Sequence, residues 1–190
     1  MKKEDQRIKV TKILIKDALS QLLKEKPFEK ISIKELCDLA GINRGTFYSH
    51  YKDLSDLQDK IYEEFFDNFK LSFVPMLEKA SEDTLTSENM ILEIIKFLYN
   101  NKSLCQIMLH GANKDNFLNS LNAIGRNIVI ITYSKFFVES KKDIELFYNF
   151  VSGGAISIII TWLLEDCKTK DTELAYKLNR LIKCSLSYFE

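Results

Sequence analysis

Apolar positions along this chain recur mainly at intervals of three and four residues, which is the spacing of one face of a helix. Ile8, Ile15, Leu19, Leu22 and Leu23 form the first such stripe, with Lys9, Lys12 and Lys16 off it, and predict a helix from about Asp5 to Lys24. Pro27 ends it, because proline cannot continue a helix. A second helix opens at Ser32, where Ser32-x-x-Glu35 has the form of a capping box. Ile33, Leu36, Cys37 and Ala40 then give one buried face, and Gly41 ends the segment as a left-handed residue would. Asn43 is a good N-cap for a third helix. Phe47 and Tyr51 share one of its faces and are expected to pack on the first two helices, with Ile42 turned into the core. Ser55-x-x-Gln58 predicts the cap of a fourth helix, which runs to about Val74, where Pro75 ends or kinks it.

The remainder keeps the helical period. Segments 88–101, 103–111, about 114–138, about 142–166 and about 171–188 are divided by loops of Asn, Lys, Asp, Ser and Gly. The longest apolar run, "AISIIITWLL" at 155–164, is shorter than the about 20 residues that cross a bilayer, and reads as a buried helix segment. The fold predicted is all-α with about nine helices. Residues 1–54 form a three-helix domain with helix-turn-helix spacing, and residues 55–190 a second helical domain.

Composition adds little to this and removes several classes. Six glycines and two prolines in 190 residues are too few for a many-stranded β protein. The formal net charge is zero, but residues 1–60 hold 13 basic and 10 acidic side chains, while residues 61–190 hold 14 and 17. The surplus of positive charge therefore lies at the N-terminus. Cys37, Cys105, Cys167 and Cys184 lack metal-ligand spacing, and with His50 and His110 they make no plausible zinc set. They read as reduced thiols of a cytoplasmic protein. "MKKEDQRIKV" contains no apolar signal segment. No nucleophile–base pair, phosphate-cradling Gly-rich loop or suggestively spaced pair of carboxylates is present, so no enzyme, cofactor or metal is expected.

The informative stretch is "GINRGTFYSHYKD", residues 41–53. Gly45, Thr46, Ser49 and His50 disfavour a helix interior, and Gly45 alone costs roughly 1 kcal/mol against Ala. Such a helix makes sense if another backbone must approach it closely. Arg44, Gly45, Tyr48 and Ser49 lie away from the Phe47/Tyr51 face. Arg can grip the O6 and N7 of guanine in a bidentate pair. Thr46, Tyr48 and His50 can donate to phosphates, and Lys52 can neutralise one.

Here the residues carry a resemblance. "SIKELCDLAGINRGTFYSHYKDLSDL" resembles the DNA-binding domain of the TetR family of bacterial transcriptional regulators, through the small-residue turn Ala40-Gly41-Ile42, then Gly45-Thr46-aromatic-Tyr48, an aromatic at Tyr51, and Lys52. The resemblance implies a cytoplasmic homodimer that reads a palindromic operator in double-stranded DNA, acting as a repressor released by a small effector. It implies base contacts from Arg44, Gly45, Tyr48 and Ser49, and phosphate contacts from Ser32, Thr46, His50 and Lys52. Two positions depart from the pattern. Leu54 stands where members often carry a lysine, and Ser49 where a Tyr, His or Arg is common. Lys2, Lys3 and Arg7 are either a compensating basic arm or a solvated tail.

For the second domain the resemblance implies effector binding and dimerisation through the last two large helices. Gly153 and Gly154 interrupt an apolar run, and Leu174, Leu178, Leu181, Ile182 and Leu186 form a stripe suited to a four-helix bundle with a second copy. The polar residues on apolar helices, His110, Asn122, Arg126, Tyr133 and Trp162, are the candidate effector contacts. The abundance of Phe and Leu suggests an apolar effector.

Overall fold

The structure, a computed structural model, describes residues 2–78, 88–111, 114–136 and 141–186; the side chains of 2–5, 76–78, 88–89, 127–136, 141 and 186 lie outside that description. The described residues form nine α-helices and no strand. They are α1 (Lys2–Glu25), α2 (Ile33–Ala40), α3 (Arg44–Tyr48), α4 (Leu54–Glu78), α5 (Glu88–Asn100), α6 (Lys102–His110), α7 (Lys114–Phe136), α8 (Lys141–Leu164) and α9 (Asp171–Leu186), with one 3₁₀ turn at Phe28–Lys30. The helix pattern read from the sequence therefore holds.

The helices pack as two compact units, Met1–Asp67 with Ser103–Phe117, and Asn68–Lys102 with Leu118–Glu190. This partition differs from a cut after residue 54, because the first half of α4 and all but one residue of α6 belong to the first unit. The physical reason is burial. Leu57, Ile61 and Phe65 on α4, Ile107 on α6 and Phe117 on α7 are as fully buried as Ile15, Leu19, Leu36 and Phe47. The Phe65 and Phe117 rings meet edge to face at 5.4 Å. At the end of α6, a Cβ on Gly111 would stand 1.9 Å from Gln58 Nε2 and 2.9 Å from the Ile107 carbonyl oxygen. Glycine is thus required there by close approach.

Within the first unit α1 packs on α2 and α2 on α3. The α1 stripe is covered only from its middle onward. Ile15, Leu19, Leu22 and Leu23 are buried, whereas Ile8, expected in the core, is exposed two turns earlier. Ile33 and Ile42 are half-buried. Lys16 bonds Glu64 at 2.6 Å, tying α1 to α4. Pro75 does not end α4, which continues one turn past it to Glu78. A proline there removes one intrahelical bond without stopping the last turn.

In the second unit α9 runs along α5. Phe69, Phe73 and Phe97 form a ring cluster with centroids 4.6–5.5 Å apart. Tyr148 on α8 donates its hydroxyl to the Asn122 carbonyl oxygen on α7 at 2.7 Å. Gly125 makes room for that hydroxyl, since a Cβ there would lie 2.6 Å from it. Trp162 Nε1 donates to the Thr169 carbonyl at 2.8 Å, and its ring stacks on Tyr99 at 6.2 Å. The turn between α8 and α9 places Asp166 and Cys167 consecutively in the left-handed region, at φ 59° and 57°.

The sequence reading of α8 needs correction. The helix is long and apolar enough to cross a membrane by length and composition over Lys142–Leu164, and only 22% of its most apolar window is buried within this chain. Phe150 is 74% exposed and Leu146 61%. Within the segment read as buried, 155–164, Trp162 and Leu163 are buried while Ile158 and Leu164 are exposed, and the most exposed apolar side chains of the helix lie before it, at Leu146 and Phe150. α9 behaves in the opposite sense. Leu174 and Leu178, expected on an outward stripe, are buried inside the chain, while Leu181 and Tyr176 are exposed. Ile182 is half-buried, and the Leu186 side chain lies outside the described residues.

Candidate nucleic-acid interface

The site is built from two short helices and their caps. Ser32 begins it. Its Oγ accepts from the Glu35 N–H at 3.2 Å, and Glu35 Oε2 accepts from the Ser32 N–H at 3.1 Å, closing the capping box. Lys26 Nζ bonds the Glu35 carboxylate at 2.6 Å. That cation, with the two Ser32 donors, holds the Glu35 pKa down to about 2. Gly41 stands at φ 67°, ψ 31°, a left-handed residue where only glycine is unstrained, and turns the chain from α2 toward α3.

Asn43 Oδ1 then accepts from the Thr46 N–H at 2.7 Å and caps α3. This helix is shorter than its sequence suggests. It ends at Tyr48, and Ser49 folds its hydroxyl back on the Thr46 carbonyl at 2.7 Å. Low helix propensity at Gly45, Thr46 and Ser49 limits it to little more than a turn. Its placement is set by two aromatic anchors. Phe47 and Tyr51 are buried with ring centroids 5.6 Å apart. Burial, with the nearby Glu64 and Asp56 charges, pushes the Tyr51 hydroxyl up to about 12. Lys60 closes the far side, with Nζ 2.9 Å from both the His50 carbonyl oxygen and Asp56 Oδ2, and 5.3 Å from the Tyr51 ring centre.

The cap of α4 is not the one expected. Ser55 and Gln58 lie inside the helix. Asp53 Oδ1 accepts from the Asp56 N–H at 2.8 Å, and Asp56 Oδ2 from the Lys52 N–H at 2.9 Å. This reciprocal pair, with Lys60 one turn on, fixes the backbone of Lys52. The Asp53-x-x-Asp56 spacing carried the signal, and a Ser-x-x-Gln match two residues later masked it.

The anchors turn one surface outward. Ser32, Arg44, Gly45, Tyr48, Ser49 and Lys52 are exposed, and Thr46 and His50 half-buried. Tyr48 is 56% exposed and meets Phe47 edge to face at 5.6 Å. A Cβ on Gly45 would meet only the Asn43 cap oxygen, at 3.2 Å, and its φ is an ordinary helical one. Its backbone conformation does not demand glycine, and a Cβ there would crowd the Asn43 cap. The residues divide chemically. Arg44, Tyr48 and Lys52 reach outward with side-chain donors. The hydroxyls of Ser32, Thr46 and Ser49 already donate or lie within bonding distance of Glu35, Asn43 and the Thr46 carbonyl, and keep lone pairs for acceptance.

The candidate effector residues are not gathered around one described cavity. His110 is the exposed last residue of α6, in the first unit. In the second unit Asn122 bonds Tyr148, and Arg126 pairs with Glu145 at 3.3 Å. Tyr133 has its side chain outside the described residues. Trp162 is buried and bonded, and it borders an open cleft of about 270 Å³ with Ser157, Ile158, Thr161 and Glu165. Among the described residues no cluster of His, Cys, Asp and Glu suits a metal ion.

Comparisons with known proteins agree with this geometry. The sequence profile described as "Bacterial regulatory proteins, tetR family" matches residues 15–58, the span from α1 to the start of α4. A second, "Transcriptional regulator C-terminal region", matches residues 86–184. The uncharacterized HTH-type transcriptional regulator YxbF of Bacillus subtilis (strain 168) is 21% identical over 183 residues, covering 92% of this chain. The chain spans 45% of that relative's length. Among solved structures, the transcriptional regulator FadR from Bacillus subtilis in complex with stearoyl-CoA superposes with a TM-score of 0.68 at 16% identity, covering 90% of this chain and 96% of that one. NalD, the secondary repressor of the MexAB-OprM multidrug efflux pump in Pseudomonas aeruginosa, gives a TM-score of 0.67 at 16% identity over 96% and 98% of the two chains. With both halves matched by their profiles and the helix-turn-helix built as described, the chain belongs to the TetR family of bacterial transcriptional regulators.

Proposed function

We propose that this protein is a homodimeric, sequence-specific DNA-binding repressor, released from a palindromic operator by a small, largely apolar effector. The observation that carries the reading is the outward face of α3. A five-residue helix, capped at both approaches and pinned by Phe47 and Tyr51, presents Arg44, Gly45, Tyr48 and Ser49 to solvent. A helix of that kind fits a major groove, with Arg44 and Tyr48 on base edges. Lys52 and His50 serve the flanking phosphates, Ser32 and Thr46 do so by turning their hydroxyls from Glu35 and Asn43 to a phosphate oxygen, and Gly45 lets the backbone approach. The functional DNA-binding domain is residues 1–54, the part of the first unit that carries all of these groups.

The exposed apolar face of α8, through Gly153 and Gly154, with Leu181 of α9, forms the homodimer contact. The effector half is the helical region 55–190, with Asn122, Arg126 and Trp162 as polar contacts. FadR crystallised with stearoyl-CoA and NalD described as a repressor support an apolar effector and a repressing role. Helix α4 belongs to both units, so an effector that favours one tilt of α4 changes the separation of two recognition helices in a dimer. Release follows only to the extent that the effector binds the two states unequally. On this reading the protein acts in the cytoplasm.

The test is selection of bound duplexes from a random pool with wild type and Tyr48→Ala side by side. Enrichment of a palindrome by wild type, relaxed in the variant, supports the reading. Saturable binding to a protein partner with no enriched duplex would replace it by a protein-interaction role.

A further inference from the structure

We infer that the first unit carries a small-molecule site of its own, a cleft between α1 and α6 that takes a small zwitterion, one ammonium and one carboxylate, such as a free amino acid. It shares no residue with the effector contacts proposed at Asn122, Arg126 and Trp162.

The cleft is open, holds about 320 Å³, and is bordered by Asp17, Ser20, Gln21 and Lys24 of α1 and Ser103 of α6. The four α1 residues stand at i, i+3, i+4 and i+7, so they share one face of that helix. Asp17 and Lys24, both exposed, begin about 10 Å apart along its axis. The face therefore offers a carboxylate at one end and an ammonium at the other, with a hydroxyl and an amide between them.

Ser20 is the residue that points to a ligand. It is only 6% exposed and borders the cleft, and its hydroxyl has no hydrogen-bond partner among the described residues. Other hydroxyls in these helices fold back on the carbonyl one turn earlier. Thr11 bonds Arg7 at 2.9 Å, Thr161 bonds Ser157 at 3.0 Å, and Ser185 bonds Leu181 at 2.9 Å. Ser20 makes no such bond, and a buried hydroxyl left unpaired is destabilising. An acceptor atom in the cleft satisfies it. Across from Ser20 is Ser103, the second residue of α6, where a helix has N–H groups to spare and a partial positive charge.

Charge sorts the ligand. A plain anion suits Ser20, Ser103 and Lys24 but is repelled by Asp17, and a plain cation meets the reverse. A zwitterion with its ammonium at Asp17 and its carboxylate toward Ser20 and Ser103 suits both ends. Lys24 also interacts elsewhere, so its part here is charge rather than an obligatory bond. Because α1 packs on α2 and α2 on α3, a ligand in the cleft braces the helix on which the DNA-reading elements rest.

The test is titration of the standard free amino acids, one at a time, into the nitrogen-15-labelled full chain, with acetate and ethylamine as single-charge probes. At least one amino acid should bind saturably and shift the amide signals of Ser20, Gln21 and Ser103, and neither single-charge probe should match it. Ser20→Ala removes an unpaired hydroxyl, so it should keep or raise thermal stability while weakening that amino acid's binding by roughly tenfold or more. Asp17→Asn should erase the preference for the amino acid over acetate. Failure of every amino acid to bind, saturable binding that leaves those amides unmoved, or an unchanged affinity in Ser20→Ala overturns the site. Acetate binding as well as the best amino acid to wild type overturns the zwitterion. Each of these outcomes leaves the DNA-reading face as it stands.

Discussion

At the scale of single residues the recognition surface separates into groups that read and groups that hold. Arg44 is exposed, and Tyr48 is exposed while resting edge to face on the buried Phe47. Arg44→Ala should weaken specific operator binding by about 1–3 kcal/mol and relax preference at one base position, as measured by titration against the selected duplex and its single-base variants. Lys52→Ala should instead weaken binding across sequences and lower the salt slope by about 1. Glu35 belongs to the holding group, and its charge gives a sign that can be checked. Its folded pKa is depressed from 4.5 to about 2. The stability it contributes is therefore present above pH 4.5 and lost as pH falls toward 2. Urea midpoints taken over that window should fall more steeply for wild type than for Glu35→Gln. The hydroxyl residues were the least legible in sequence. Ser32 and Thr46 look like phosphate contacts and Ser49 like a base contact from their types and places, yet each hydroxyl is engaged locally, which only coordinates can reveal.

At the scale of elements, what could be read from sequence was what depends on neighbours in sequence. The capping box at Ser32, the left-handed Gly41 and the Asn43 cap are local hydrogen-bond chemistry, and the structure builds all three. What failed depends on distant neighbours or on competing local signals. Ile8 fits the stripe of α1 but has nothing over it, and Leu174 and Leu178 fit an outward stripe but face inward where α9 meets α5. The cap of α4 was misplaced because two overlapping motifs offered themselves and the carboxylate pair prevailed. Gly111 is a further case, since its need for glycine comes from Gln58, more than 50 positions away. Gly111→Ala should lower thermal stability by a few degrees, on the order of 1–3 kcal/mol for an overpacked site. A calorimetric scan checks it, and an unchanged melting temperature would show that Gln58 simply swings aside.

At the scale of the whole molecule, both units carry their own aromatic clusters, and α4 is shared between them. Destabilising one unit need not melt the other. Denaturation followed by Tyr and Trp signals offers a direct check. The single tryptophan, Trp162, lies in the second unit and reports on that unit alone. Gly41→Ala, which forces a side chain into φ 67°, should lower the stability of the first unit by about 1 kcal/mol or more while leaving the Trp162 transition near its wild-type midpoint. Coincident shifts in both signals would mean that the two units unfold as one.

The buried thiols give the molecule an internal clock. Cys37 and Cys105 sit in the first unit and Cys167 in the second, all buried, while Cys184 is exposed. Burial pushes the Cys37 and Cys167 thiols up, so neither reacts readily in place. Alkylation followed by mass spectrometry should mark Cys184 at once and the others only when their surroundings open. Natural residues would then time the breathing of each half separately, with operator DNA expected to slow labelling of Cys37 and to leave that of Cys184 unchanged.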